Sequence, residues 1–274
     1  MKIHEESLPI ITKTRIISDL KKLGLAAGQV IMLHVSVKAI GWIVGGPDVV
    51  IQSILDVLTP RGTLMMFIGW EDSPYEMNKW PKERKQAYLE ECLPFDPTRS
   101  RAYHKWSILT EYLRTWPNAY RSNHPDASFA AVGKLAKWIT KDHPLNYGYG
   151  PGSPLAKLCE AKGNILLLGS PLHDITLLHY SEHMANVKEK PIVRYEMPIL
   201  KKGKRTWIQL EEFDTNKLIG KWIGESYFRI IPREFLAAGY GKSGKIGDAQ
   251  SYFFDATLLN EFAINWLESN MEKR

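Results

Sequence analysis

The run Thr176-Leu177-Leu178-His179-Tyr180-Ser181-Glu182-His183 sets two imidazoles and a carboxylate at helical spacing. An imidazole has the ordinary side-chain pKa nearest neutrality, so His179 is a candidate general base. Glu182 lies one turn on and is placed to orient it or to bind substrate. The same residues fit H-x-x-E-H, in which His179 and His183 would hold Zn²⁺ and Glu182 would act as base. A third zinc ligand would then come from Glu211, Glu212 or Glu225. The plainer reading is a packed helix histidine bonded to a carboxylate, and from the residues alone it stands level with the base.

Two other segments carry polar groups at places where ligands bind. His34-Val35-Ser36-Val37 precedes Gly41, Gly45 and Gly46. Hydroxyls, exposed amides and glycines at such a junction can hold a phosphate or a pantetheine amide chain, or simply make a turn. Arg121-Ser122-Asn123-His124-Pro125-Asp126-Ala127-Ser128 is dense in polar groups. A loop capped by Asn and Asp explains much of it, and Arg121 and His124 are alternatives for binding phosphate or lining a pocket. No dinucleotide or P-loop fingerprint is present.

These residues need elements to hold them. Asn164-Ile165-Leu166-Leu167-Leu168-Gly169 reads as a buried strand that stops short, which puts His179 in a helix just past a strand's carboxyl end. Periodicity predicts a helix from Thr12 to Leu25 and a strand from Gln29 to Val35. It predicts a second helix from about Asp48 to Leu58 and a strand from Thr63 to Ile68. That order implies a parallel βαβ unit. Glu71 to Arg101 reads as an excursion over the site face, and Trp106 to Arg114 as helical. Phe129 to Val132 is a short strand, followed by a helix to Thr140. Pro144 to Pro154 is a loop, and Ser153 opens a helix through Glu160. After Pro191 the pattern becomes alternating strands, Ile192 to Ile199 and Thr206 to Leu210, and Ala256 to Glu268 is helical. The expected fold is α/β: a parallel-containing central sheet with flanking helices and an antiparallel C-terminal addition, about 191–255, within a single domain over 1–274.

Composition narrows the class. The chain has 274 residues, 44% hydrophobic and 24% charged, with a mean hydropathy of -0.26, as a globular protein has. No apolar run approaches the ~20 residues of a membrane span, and Met1 to Glu6 lacks an apolar leader core, so a cytoplasmic location without a membrane partner is expected. Cys92 and Cys159 form no metal or disulfide motif. The net charge of +6 suits an anionic coenzyme or serves solubility alone. Lys201-Lys202-Gly203-Lys204-Arg205 reads better as a hairpin turn than as a nucleic-acid patch, so no nucleic-acid partner is expected.

Taken in order, several segments resemble the aminoglycoside 3-N-acetyltransferase family, which is distinct in fold from the GNAT acetyltransferases. They are Leu33 to Ser36 with Ile40 to Gly46, Pro60 to Leu64, Phe95-Asp96-Pro97, and Arg121 to Gly133. Ser153-Pro154-Leu155, Ile165 to Gly169, Thr176 with His179 and Glu182, and Gly244 to Gly247 complete the set. The resemblance implies acetyl transfer from acetyl-CoA to the 3-amino group of a 2-deoxystreptamine ring, without a metal. It implies that His179 is the base, with Glu182 or Glu111 orienting it. It also implies coenzyme contacts from His34, Val35, Ser36, Val37, Arg121, Ser128 and Thr176, with amides near Ser36 and Val37 facing the thioester oxyanion. Glu71, Asp72, Glu76, Asp96 and Glu111 are the expected carboxylates for the drug's amines. The chain departs from the family at Val35, where a second Ser is usual, and at Pro171 and Ile175, where Gly and Asn are frequent. Tyr103-His104-Lys105-Trp106 replaces small residues. These departures bear on coenzyme geometry and drug range and leave another amine open as the acceptor, as they leave the choice of monomer or dimer open.

Overall fold

A computed structural model describes residues 9–220 and 225–271. Met1 to Glu6, read above for a leader, lie outside the described residues. The chain opens with β1 (Ile10–Ile11), α1 (Lys13–Leu23), β2 (Val30–Val35), α2 (Val37–Ile40), β3 (Trp42–Ile43), α3 (Asp48–Leu58) and β4 (Thr63–Phe67). Helix α1 starts where the Thr12 side chain accepts the Arg15 N–H at 3.2 Å and ends where Gly24, at φ +121°, turns its N–H back to Leu20 and Lys21. Its buried stripe is Ile16, Leu20 and Leu23, as the 3.6-residue period requires. The expected extension to Leu25 stops at that glycine cap.

The excursion after β4 contains a 3-10 turn at Met77–Lys79 and a helix, α4 (Lys82–Glu91). None of α4's residues is buried, so no apolar stripe marked it in the sequence. Then come α5 (Ile108–Arg114), β5 (Tyr120–Arg121), β6 (Phe129–Gly133), α6 (Ala136–Thr140), α7 (Pro154–Glu160) and β7 (Asn164–Leu168). The chain continues with α8 (Leu177–Met184), β8 (Ile192–Lys201), β9 (Lys204–Phe213), α9 (Thr215–Gly220), α10 (Tyr227–Ala237), β10 (Gly241–Ile246), β11 (Ala249–Asp255) and α11 (Ala256–Met271).

Seven strands form the central sheet in the order β10-β11-β7-β2-β4-β6-β5. β2 is parallel to both β4 and β7, and the remaining pairs are antiparallel. The predicted βαβ unit, β2-α3-β4, is therefore the heart of the sheet. The parallel strands are nearly continuous apolar runs because both faces are covered. One core packs Ile16, Leu20, Ile51 and Ile54 of α1 and α3 on one face, and the other packs Leu155, Leu178, Ile231 and Leu259 of α7, α8, α10 and α11 on the opposite face.

The antiparallel segment divides. β8 and β9 make a separate ribbon, turned by Lys202 and Gly203 at φ +49° and +76°, the signature of a tight two-residue hairpin turn. β10 and β11 instead extend the central sheet. β10 (Gly-Lys-Ser-Gly-Lys-Ile) is a polar edge strand, and α10 carries Pro232 within it; both hide from a periodicity reading. The ribbon is anchored by a small cluster of Trp70, Phe95, Tyr195, Met197 and Leu210. Among the described residues no helix is long and apolar enough to cross a membrane.

Gly133 ends β6 at φ +119°, and a Cβ there would overlap the Gly62 carbonyl oxygen and lie 2.8 Å from Thr63 Cα. Gly133→Ala is expected to lose at least ~2 kcal/mol of stability by urea denaturation, because backbone, not a flexible side chain, blocks the methyl group.

Candidate active site

The carboxyl ends of the three parallel strands meet at one edge. His34 and Val35 end β2, Phe67 ends β4, and Leu168 leads through Gly169 into α8. His179 stands in the first turn of α8, as the strand-then-helix pattern predicted. Its Nδ1 lies 2.9 Å from Glu182 Oε2. The Thr215 hydroxyl donates to the same oxygen at 2.9 Å and sits 3.2 Å from Nδ1. The Tyr227 hydroxyl donates to the other oxygen, Oε1. Glu182 is 4% exposed, so its charge depends on these donors. A carboxylate only accepts, so Nδ1 carries a proton toward it and the ring's lone pair resides on Nε2.

Tyr149 and Phe228 hold the ring in place, with centroids 4.9 and 5.0 Å away. His179 is common to two cavities, of about 440 and 520 Å³. Phe67 and Trp106, stacked at 4.5 Å, form the wall between them. Gly69 admits that indole: a Cβ at Gly69 would lie 2.6 Å from it.

The first cavity is lined by His34, Val35, Lys105, Ser107, Thr110 and Thr176, among others. Burial lowers the His34 pKa to about 4, and its Nε2 is buried without a hydrogen-bond partner. The cavity shares Ser170 with a third, of about 580 Å³, that carries Arg229 and Arg233. The second cavity carries two carboxyls, Asp126 and Glu212, the aromatics Tyr75 and Tyr149, and one cation, Arg229, beside His179. Asp126 accepts from Tyr195 at 3.3 Å and Ser73 at 3.4 Å, and burial raises its pKa to about 6. His183 Nε2 lies 2.7 Å from Glu212 Oε1.

His34, Val35 and Thr176 therefore meet at His179, whereas several expected contacts do not. Ser36 and Val37 open α2 outside the lining of both cavities at His179, and the Ser36 N–H is spent on Leu168 O at 2.9 Å, so it has no proton to offer an oxyanion. The Arg121 guanidinium faces inward. It bonds the Ser128 hydroxyl at 3.0 Å and the carbonyl oxygens of Gly69 and Ser100, over the Phe95 ring. Ser128 is fully buried. These two residues bolt the excursion to the sheet, and neither lines a cavity at His179.

The five expected substrate carboxylates are also engaged elsewhere. Glu71 holds His104 at 2.7 Å, Asp72 the Tyr88 hydroxyl at 3.3 Å, and Glu76 pairs with Lys79 at 2.8 Å. Asp96 accepts from Thr98 N–H at 2.8 Å. Glu111 grips Arg114 at 2.6 Å and the Ala102 N–H at 2.8 Å, so Glu182, not Glu111, partners His179. None of the five lines a cavity at His179. The excursion reaches the site through Tyr75 instead, and Trp106 follows it. Asp126 was visible only as a capping residue, and Thr215, Tyr227 and Tyr149 gave no signal, because their meeting depends on the ribbon and α10. The two histidines of the zinc pattern diverge: Glu182 bonds His179 while His183 turns to Glu212. Among the described residues no group of three His, Cys, Asp or Glu could hold a metal ion.

A polarised imidazole at the wall between two cavities, on the carboxyl edge of an α/β sheet, is the layout of an enzyme that brings two substrates together. The sequence profile of the aminoglycoside 3-N-acetyltransferase family matches residues 32–268; the chain belongs to that family and is an acetyltransferase. It is 46% identical over 258 residues to aminoglycoside N(3)-acetyltransferase III of Pseudomonas aeruginosa, covering 94% of each chain. Its structure is similar to that of AAC-IIIb in binary complex with CoASH, at a TM-score of 0.89 and 43% identity, covering 96% of this chain and 98% of that one. It is similar also to AAC-VIa bound to sisomicin, at a TM-score of 0.89 and 34% identity, covering 96% and 99%.

The raised Asp126 pKa has a definite sign in stability. Between an ordinary Asp pKa near ~4 and about 6 the folded chain keeps a proton that the unfolded chain releases. Folding is therefore penalised as pH rises through that window and stays penalised above it. Asp126→Asn is expected to raise the melting temperature of the free protein at pH 7.5 and to have little effect below pH ~4; an equal gain at both pH values would overturn that assignment.

Proposed function

We propose that the chain transfers acetyl from acetyl-CoA to the 3-amino group of 2-deoxystreptamine aminoglycosides, with His179 as general base. The observation that carries this is the hydrogen-bonded set around Glu182, which leaves His179 Nε2 open between an acidic cavity and one that leads to arginines. The acidic cavity, with Asp126 and Glu212, suits a polycationic amine despite the net positive charge of the chain, because local sign decides binding. The cavity of His34, Lys105, Ser107 and Thr176 suits the pantetheine arm, and Arg229 and Arg233 beyond it suit the coenzyme's phosphates. That similar solved structures bind CoASH in one case and sisomicin in the other supports this pair of substrates. The absence of a membrane-crossing helix among the described residues fits a cytoplasmic location.

In this reading an ammonium entering the acidic cavity becomes a nucleophile when Nε2 removes its proton. The amine nitrogen attacks the thioester carbonyl carbon directly, so no Cys or Ser intermediate forms. The nitrogen gives up its second proton, the tetrahedral oxyanion collapses, the C–S bond breaks, and the departing thiolate takes a proton back from the His179 imidazolium, leaving an amide and the free thiol. Glu182 stabilises the imidazolium formed at His179, with Thr215 and Tyr227 fixing the carboxylate.

Thiol release from acetyl-CoA is the direct test, run without added metal on a panel of 2-deoxystreptamine drugs. Turnover with several drugs is expected. His179→Ala should reduce it by ~10²–10⁴-fold while the coenzyme still raises the melting temperature; an unchanged rate would remove His179 from the mechanism. Silence across the panel, with coenzyme binding intact, would assign the site to another amine.

A further inference from the structure

Beneath the acidic cavity lies a histidine pair that the chemistry above does not use. His124 and His143 are 1% and 8% exposed, and their ring centroids are 4.8 Å apart. His124 Nδ1 accepts the N–H groups of Asp126 at 3.1 Å and Ala127 at 2.8 Å. That nitrogen carries no proton, so Nε2 is the protonated one and donates to Leu145 O at 3.1 Å. His143 Nε2 lies 2.6 Å from Gly148 O, which can only accept. Its Nδ1 is 2.9 Å from Ser122 Oγ. That oxygen already accepts the Phe129 N–H at 2.9 Å, so its own proton turns to the ring. Both imidazoles are therefore Nε2–H tautomers. Burial favours the neutral form of both; it holds the His143 pKa near 4, with Lys157 as the nearby cation, and that of His124 well below its ordinary value, with His143 adding to the effect. Neither ring is hydrogen-bonded to a carboxylate.

Both donors reach the same loop, 143–152. β9 grips that loop from its other side. Tyr147 N–H donates to Glu211 O at 2.8 Å, Asn146 Oδ1 accepts the Glu211 N–H at 3.0 Å, and Tyr149 N–H points to Glu212 Oε2 at 3.4 Å. Two glycines let the loop come this close. A Cβ at Gly148 would lie 2.6 Å from His124 Nε2, and one at Gly150 would lie 2.7 Å from His183 Nδ1. Between these glycines stands Tyr149, whose ring lies 4.9 Å from that of His179.

We propose that His124 and His143 form a neutral twin-imidazole clamp that positions loop 143–152, and with it the Tyr149 ring, against His179. They are positioning residues for acyl transfer, so this inference rests on the role proposed for His179. His124 also fixes the turn that presents Asp126 to the acidic cavity, so one device sets two walls of the site.

The two ring nitrogens can be tested apart. Asn reproduces the acceptor at the Nδ1 place, whereas Gln reproduces the donor at the Nε2 place. H124N and H143N keep the contacts near Ser122 and Asp126 but release the loop. They are expected to lower kcat by ~10–100-fold, as a displacement near 1 Å does, with the KM for acetyl-CoA within ~2-fold because the clamp lies outside the coenzyme cavities. H124Q and H143Q keep the tether and should retain kcat within ~3-fold. Equal losses in the Asn and Gln variants, or wild-type kcat in H124N and H143N, would overturn the clamp. ¹⁵N NMR of the histidine-labelled wild-type protein reads the geometry without turnover. Two rings that stay neutral with Nε2–H from pH 5 to 8 are expected, and a charged or Nδ1–H pair would overturn the clamp even where the variants fail to fold. If the wild type turns over no aminoglycoside while the NMR signature holds, it is the functional reading, and with it the clamp's role in acyl transfer, that fails.

Discussion

The site depends on one buried carboxylate. Glu182 cannot remain ionised in the interior unless donors surround it, and desolvation makes an unpaired charge there prohibitively costly. Its donors come from three helices: His179 from α8, Thr215 from α9 and Tyr227 from α10. The ribbon β8-β9 leads into α9, and α10 packs in the same core as α8, so the ribbon and both helices must dock before the carboxylate is satisfied. The order of the site is in that sense a consequence of solvating one charge with protein.

Charge is then sorted by place rather than by total. The chain carries +6 overall, yet the cavity formed by β9, the 122–128 loop and the 143–152 loop presents Asp126 and Glu212. On α10, Arg233 lines the third cavity, while Arg229 lines both that cavity and the acidic one. Phe67 and Trp106 instead separate the acidic cavity from the one lined by His34 and Lys105. Several of the residues read above as departures from the family lie near these cavities. Trp106 is part of the wall and Lys105 lines the first cavity, Pro171 lines the arginine cavity, and Ile175 is fully buried beneath α8.

Arg121 shows how a polar block can mislead. A guanidinium in a loop before a strand reads as a phosphate contact. Here its protons go to Ser128 and to two carbonyls, Gly69 and Ser100, which binds the excursion to the end of β6. The expected carboxylates share that fate: Glu71, Asp72, Glu76, Asp96 and Glu111 each have a partner within the protein away from the cavities at His179.

The sequence by itself determined the βαβ heart of the sheet, the hairpin at Lys202-Gly203 and the position of His179 past the end of β7. All of these follow from local periodicity and turn chemistry, which act within a few residues. It also carried the family, through motifs spread along nearly the whole chain. It did not determine α4, α10 or β10, whose patterns are respectively all polar, broken by Pro232, and those of an edge strand. Nor did it choose among three readings of the His179 to His183 run. Only the tertiary structure sends Glu182 to His179 and His183 to Glu212, and brings Thr215, Tyr227, Asp126 and Tyr149 to the same place. A hydrogen bond extends about 3 Å, whereas these partners lie tens of residues apart, so the packing of whole elements decides which of them meet.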